Sequence, residues 1–468
     1  MIGQAKQPVR VNDLLKLEIR DVALGGKAVA RVDSRVVFVD GALPGDVVDA
    51  RVSRLKPNYA EARLIRIETP SRDRVPAPCQ HVAVCGGCRL QELDYSQQCR
   101  LKERQVRDAL ERIGRLPSFQ LDPIQHAPER FRYRNKMEFT VHPAPDGAAR
   151  IGLHERGTFD RVFAVEDCLL PSELTMRILR ATQEAASRHR WQAYHPARHD
   201  GIVRFLVVRH LRSTGQCAVG LIAASDSVPG LDAWARTIAA LSPEITTITL
   251  GINRSRSNIA IAEEELTLVG EGVVVERLLG LEFEATSSTF LQTNSAQAEA
   301  LYAAVAEAAD PRGDESVLDL YCGTGTLTLI LARRAREVVG VESVVDAVER
   351  ARSNAERNGI SNARFVAGEA RAVLREWARG QRSDPPRPQI VVVDPPRAGL
   401  HPRVVARVAE LEARRVVYVS CNPATFARDA ADLAARGYLV KRVRPFDMFP
   451  HTAHVECVAV LERGEAAP

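Results

Sequence analysis

The sequence predicts an α/β protein whose C-terminal part is a doubly wound parallel sheet, preceded by a small β-barrel and an α+β middle segment. Three observations carry this. After Gln292 the apolar runs SVLDL, EVVGVE, ARFVAG, QIVVVD and VVYVS alternate with Ala-, Arg- and Glu-rich stretches of helical character. Residues 11–68 hold short alternating strands broken at Gly25-Gly26 and Pro44-Gly45. Between the two, strand and helix signals mix without a repeat. A chain of 468 residues, at about 100 to 200 residues per domain, has room for all three units, bounded at 1–69, 70–285 and 286–468.

The barrel comes first: five or so short strands in a compact unit make a shape that commonly carries oligonucleotides. Pro70 to Pro78 then reads as a linker. Hydrophobic residues at 45% and charged residues at 26% exclude wholesale disorder and fibrous repeats. The opening MIGQAKQPVR has no apolar h-region and no window approaches a membrane span, so the cytoplasm is the expected location. A net charge of +5 is too small to name a polyanionic partner by itself. Its distribution is more telling: Arg100 to Lys136 carries ten Lys/Arg against five Asp/Glu, and Arg51 to Arg74 seven against three. Both stretches can bind phosphate; solvated helix faces are the plain alternative.

The middle segment contributes Cys79, Cys85, Cys88 and Cys168, from a total of nine cysteines. An odd number in a chain of this kind points to metal binding or catalysis before disulfides. Four soft ligands suit a tetrahedral zinc or a [4Fe-4S] cluster, and the spacing does not choose. Cys99 and Cys217 are left over.

In the C-terminal unit, Asp319 to Thr326 (DLYCGTGT) follows the first strand and opens a helix, so Gly323 and Gly325 let the backbone pass close to a ligand. Glu342 ends the next strand, where a carboxylate accepts hydrogen bonds from ribose hydroxyls. Thr328 stands where a dinucleotide site would have its third glycine, which favours an adenosyl ligand without a pyrophosphate, S-adenosyl-L-methionine. The fourth strand ends in Asp394-Pro395-Pro396-Arg397, a stiff turn facing the same cleft. The fifth ends in Ser420-Cys421-Asn422-Pro423, and a strand-end cysteine can be a nucleophile. Glu456, His451 and His454, just before the last strand, are candidate general bases.

Together these motifs resemble the bacterial RNA uracil-C5-methyltransferases, a likeness that also takes in Phe131-Arg132-Tyr133-Arg134-Asn135-Lys136 and Phe290-Leu291-Gln292-Thr293-Asn294. The resemblance implies a Rossmann-like class I methyltransferase domain, an OB-like TRAM barrel that binds RNA, and an α+β central domain with an iron-sulfur cluster. It implies a [4Fe-4S] cluster on Cys79, Cys85, Cys88 and Cys168. Cofactor contacts are implied from Gln292, Tyr321, Glu342 and Asp394, and from Thr326 and Glu369, which stand where asparagine is usual. Asp-Pro-Pro-Arg also departs from a common Asp-Pro-Ala-Arg form. RNA contacts are implied from Arg132, Arg134, Asn135 and Lys136, with Phe290 stacking near the target base.

The implied partner is 23S ribosomal RNA at uracil 1939, with no membrane and no obligate protein partner, because tRNA-specific relatives look shorter and lack the barrel and the cysteines. The implied chemistry is addition of Cys421 to carbon 6 of uracil, with Glu456 removing the carbon 5 proton and Asp394 orienting the ring. Three alternatives remain: 5-methylation of another rRNA or tRNA uridine, methylation of an exocyclic amine through the Asp-Pro-Pro loop, and an inactive RNA-binding or redox module.

Overall fold

The computed structural model describes residues 9–144, 147–158, 160–379 and 387–464. Its C-terminal sheet is built from β1 (Ser316–Leu320), β2 (Glu337–Glu342), β3 (Ala363–Ala367), β4 (Ile390–Val393), β5 (Arg415–Ser420), β6 (Tyr438–Phe446) and β7 (Glu456–Arg463). The first five run parallel, and β7 inserts antiparallel between β5 and β6, giving the order β3-β2-β1-β4-β5-β7-β6. Every residue of β1 and β4 is buried, as strands covered by helices on both faces require. One face packs on helices Ala370–Ala378, Pro402–Glu410 and Pro423–Ala434; the other packs on Ser295–Ala309, Thr326–Ala332 and Val345–Arg357. Chain direction diverges from β1 toward β2 on one side and β4 on the other, and ligands bind at such a switch point, outside the carboxyl ends of the strands.

Residues of the middle segment also belong to this sheet. Gln120–Leu121 adds an eighth strand beside β6, and helix Tyr95–Asp108 packs Tyr95, Cys99 and Val106 into the core of the same face. Lys102 on that helix is fully buried and paired with the equally buried Asp447 just after β6. The expected phosphate-binding stretch from Arg100 is therefore partly spent on structure: Lys102 is inside, Arg104 pairs with Asp21, and Arg112 with Asp108.

The N-terminal barrel has six strands, adjacent in the order Leu14–Glu18, Val47–Leu55, Tyr59–Thr69, Arg35–Asp40, Ala28–Val32 and Asp21–Val22. Alternation closes Val37, Val39, Val48, Ala50 and Val52 into its core. In its basic stretch Arg66 pairs with Asp49 at 2.7 Å and Arg74 with the buried Asp46 at 2.8 Å, whereas Arg54 and Arg63 are exposed. The segment read as a linker is held down by that Arg74 fork and by the Val75 amide on Glu92 O.

The middle unit centres on a seven-stranded sheet, with helices Glu173–Arg188 and Leu231–Ala239 packed in its core. Among the described residues, no helix is long and apolar enough to cross a membrane.

Candidate active site

Three strand ends bring the chemistry together. Ser420 at the end of β5 lies opposite Cys457 of β7, so the pairing carries the next residues, Cys421 and Glu456, to the same end of the sheet. Asp394 follows the adjacent β4, its amide bonded to Leu320 O of β1 at 3.3 Å. Cys421 is half-buried and immediately precedes helix Pro423–Ala434, whose cap Asn422 accepts the Ala424 amide at 3.1 Å. Pro423 sits at the helix start, where its missing N–H costs nothing. The positive end of the helix favours a thiolate at Cys421.

The electrostatics of these three groups are mutually coupled. Burial pushes the Cys421 thiol up to about 11, helped by the neighbouring Glu456 and Asp394 and opposed by Arg397. Glu456 is pushed up to about 8, first by burial and then by Asp394. Asp394 is raised to about 6 by burial. A carboxyl poised near neutrality is suited to accept a proton and give it back. Tyr302, on helix Ser295–Ala309, has a buried phenol raised by desolvation and next by Asp394 and Glu456; no motif in the sequence singled it out.

Of the candidate bases, the two histidines are occupied elsewhere. His451 stacks on Phe131 at 4.4 Å and contacts Gln98 at 3.3 Å. His454 accepts from Arg397 Nη2 at 2.6 Å. Burial lowers both to about 4, with Arg397 adding to the effect at His454. Of the three candidates, only Glu456 bears electrostatically on Cys421.

The cofactor side is built differently. Tyr321, Gly323 and Gly325 adopt φ values of 67°, 55° and 85°, and Gly325 caps helix Thr326–Ala332. A Cβ at Gly323 would meet nothing within 4 Å, so this glycine serves the turn. At Gly325 a Cβ would come to 3.0 Å from the Phe365 ring. Glu342 accepts from the amides of Gly323 at 3.1 Å, Ser343 at 2.7 Å and Val344 at 2.9 Å, which fixes its carboxylate at the mouth of the loop. Thr326 is buried at the first helical position. Tyr321, Gly368 and Glu369 line a cavity of about 310 Å³ beside β2, and Glu369 is largely exposed there.

Asp319 lies within the same motif, though the sequence does not single it out. It is wholly buried; Thr328 Oγ1 donates to its Oδ2 at 2.6 Å, and its Oδ1 has no partner. Burial pushes it up to about 7. An unsatisfied carboxylate oxygen under the glycine loop fits the ammonium of an amino-acid moiety, and with the glycine turn and Glu342 it makes the residues present a fit for S-adenosyl-L-methionine.

Cys79, Cys85, Cys88 and Cys168 are all free and line one cavity of about 870 Å³, together with Arg134, Lys136 and Thr293. Among the described residues, no group of three or more His, Cys, Asp or Glu side chains is gathered closely enough to hold a metal ion. The four thiols thus share a chamber and have the donor chemistry of a cluster site. Cys99 and Cys217 are buried core residues.

The residues of the expected RNA-contact segment sit in different surroundings. Arg132 Nη1 donates to Cys168 O at 2.8 Å and Pro171 O at 3.1 Å, so its guanidinium is used to hold the cysteine loop. Asn135 is buried, and its amide nitrogen donates to Gln292 O at 3.0 Å and Ser295 Oγ at 2.8 Å. Lys136 is mostly covered and pairs with Glu138 at 2.9 Å. Arg134 faces the cysteine cavity. Phe290, by contrast, is 77% exposed, while Leu291 beside it is buried.

Comparison with known proteins agrees with this geometry. A family model described as tRNA (Uracil-5-)-methyltransferase matches residues 210–464, and a TRAM domain model matches residues 8–65. An uncharacterized RNA methyltransferase of Halalkalibacterium halodurans is 36% identical, over 98% of this chain and 99% of its own. Another from Bacteroides thetaiotaomicron is 38% identical, over 94% of this chain and 100% of its own. Among solved structures, the Pyrococcus abyssi tRNA (uracil-54, C5)-methyltransferase in complex with S-adenosyl-L-homocysteine is similar at a TM-score of 0.76 and 27% identity, covering 95% of this chain and 99% of that one. This likeness to a tRNA enzyme spans nearly the full length, so the expectation that tRNA-specific relatives are shorter does not hold. The chain belongs to the tRNA (uracil-5-)-methyltransferase family, as an S-adenosylmethionine-dependent RNA 5-methyluridine methyltransferase with an N-terminal TRAM domain.

Proposed function

We propose that the protein methylates carbon 5 of uracil 1939 in 23S ribosomal RNA through a covalent adduct with Cys421. The observation that supports the covalent route is the meeting of Cys421, Glu456 and Asp394 at three adjacent strand ends. Carbon 5 of uracil is a poor nucleophile. When the Cys421 thiolate bonds to carbon 6, the ring's electron pair is pushed toward oxygen 4 and carbon 5 becomes nucleophilic. S-adenosyl-L-methionine, when bound, supplies an electrophilic sulfonium methyl group. Glu456 then takes the remaining proton from carbon 5, the carbon 5–carbon 6 double bond re-forms, and the sulfur–carbon bond breaks to free the thiolate. Asp394 orients the ring edge, and Phe290 stacks on the base once it has been turned out of the RNA, at a cost of a few kcal/mol.

Cofactor contacts are assigned to Gln292, Tyr321, Gly323, Thr326, Glu342, Glu369 and Asp394, to which Asp319 is added. We also assign a [4Fe-4S] cluster to Cys79, Cys85, Cys88 and Cys168. Four cysteine thiols lining one large cavity supply the soft donors such a cluster takes.

The likeness to a tRNA (uracil-54, C5)-methyltransferase favours transfer RNA as a second reading of the substrate. The test is methylation of unmodified 23S ribosomal RNA and of unmodified tRNA by the purified protein with labelled donor, followed by mapping. Label at carbon 5 of uracil 1939 supports the first reading, label confined to tRNA replaces it, and label on an exocyclic amine rejects the covalent route.

A further inference from the structure

We infer that Arg209 and Asn135 are positioning residues that clamp the loop carrying Phe290 from both sides, holding that ring rigid for the target base. The inference rests on the stacking role proposed for Phe290. Arg209 is a buried group outside the catalytic centre whose two hydrogen bonds both go to this loop. It is fully buried on strand Val203–Leu211 of the middle sheet, where a lone guanidinium is costly. Its Nε donates to Thr286 O at 3.0 Å and its Nη2 to Thr289 O. Thr289 immediately precedes Phe290, and Thr286 stands four residues before it.

On the other side Asn135 performs the matching task. Its side chain donates to Gln292 O and its main-chain amide to Thr293 O at 2.7 Å. Asn135 is in turn fixed through Ser295 Oγ, which donates at 2.6 Å to the buried Glu276. Glu276 also accepts from Ser213, so a continuous polar chain runs from the middle sheet to the first turn of helix Ser295–Ala309. Four loop carbonyls, two before Phe290 and two after it, are thereby tied to two residues of the middle unit, three by side chains and one by a main-chain amide, and the exposed ring stands between them. A flexible loop would pay ordering entropy each time RNA bound; a clamped one does not.

The experiment is a double-mutant cycle on RNA methylation with Phe290→Ala, Arg209→Lys and the pair, supported by amide hydrogen exchange of the loop. A lysine keeps the charge but cannot reach both carbonyls. Arg209→Lys is expected to raise KM for RNA about tenfold, with a smaller change in kcat, and to add little in the Phe290→Ala background. If Phe290→Ala leaves KM for RNA unchanged, the stacking role itself fails. If Phe290→Ala weakens binding but Arg209→Lys multiplies the loss in full, stacking stands and the clamp falls. Asn135→Ser, run through the same cycle, serves if Arg209→Lys does not fold. In the unmodified protein, slow exchange of the amides from 287 to 293 supports the clamp; exchange as fast as in a free loop overturns it.

Discussion

The two halves of the catalytic sheet edge are built on opposite principles. Around β1 and β2 the half proposed for the cofactor rests on short-range contacts: a glycine turn, a helix cap, and one carboxylate fixed by the amides of Ser343 and Val344 beside it and of Gly323, 19 residues earlier. Around β4, β5 and β7 the substrate half is assembled from distant parts. Cys421 and Glu456 meet only because β7 inserts backwards between β5 and β6. The loop before Glu456 is held by groups from outside the C-terminal unit: Lys102 on Asp447 and Phe449 O, Gln98 on the His451 amide at 2.9 Å, and the Leu90 amide on His451 O at 2.9 Å. The difference suits their tasks. A soluble cofactor needs a recess, whereas the base and the nucleophile need fixed mutual placement, since a small misplacement costs much of the rate.

Substitutions should separate the two halves. Cys421→Ala is expected to lower turnover by about a thousandfold or more while leaving S-adenosylhomocysteine affinity, measured by calorimetry, unchanged; retained turnover would dissolve the distinction. Glu456→Gln should cut turnover by about a hundredfold or more and leave an RNA–protein adduct that survives denaturing electrophoresis, because the proton on carbon 5 then has no acceptor. Lys102→Met, which strands Asp447 in the interior, should cost about 3 to 5 kcal/mol in denaturant unfolding, with the catalytic loss falling on the substrate half first.

On the cofactor side, Glu342→Gln should weaken S-adenosylmethionine binding about tenfold without preventing adduct formation on 5-fluorouridine RNA. The smallest effect is that of pH. Glu456 must be ionised to act, so kcat should rise as pH rises toward about 8. Stability moves the other way: a buried carboxyl with a raised pKa favours the protonated fold, and that contribution is lost as pH climbs from the usual carboxylate range through about 8. Glu456→Gln should flatten both dependences.

How much of this was legible in the sequence follows the same division. Glycine turns, strand-ending carboxylates and a cysteine before a proline-started helix are local signals, and the glycine turn opens helix Thr326–Ala332 and Cys421 stands just ahead of helix Pro423–Ala434 as those signals predict. What could not be read was commitment. The resemblance implies RNA contacts from Arg132 and Asn135, yet Arg132 Nη1 is bonded to Cys168 O and the Asn135 amide to Gln292 O and Ser295, partners 36 to 160 residues away. Lys102 looked like part of a basic surface and is fully inside, because its counter-charge lies 345 residues further on. Asp319 sat within a recognised motif, but only its orphaned oxygen reveals a use.

The backward insertion of β7 has a further consequence for biosynthesis. It is the final strand of the sheet to be translated, and it delivers the group that lets the nucleophile release its product. In the proposed mechanism, a ribosome-bound chain with Cys421 in place but without this strand would capture RNA and have no means to let go. Because the same strand also completes the pairing of β5, whose end presents Cys421, capture and release ability mature in one folding event, and half-made molecules are spared from becoming suicide traps for the transcripts they are meant to modify.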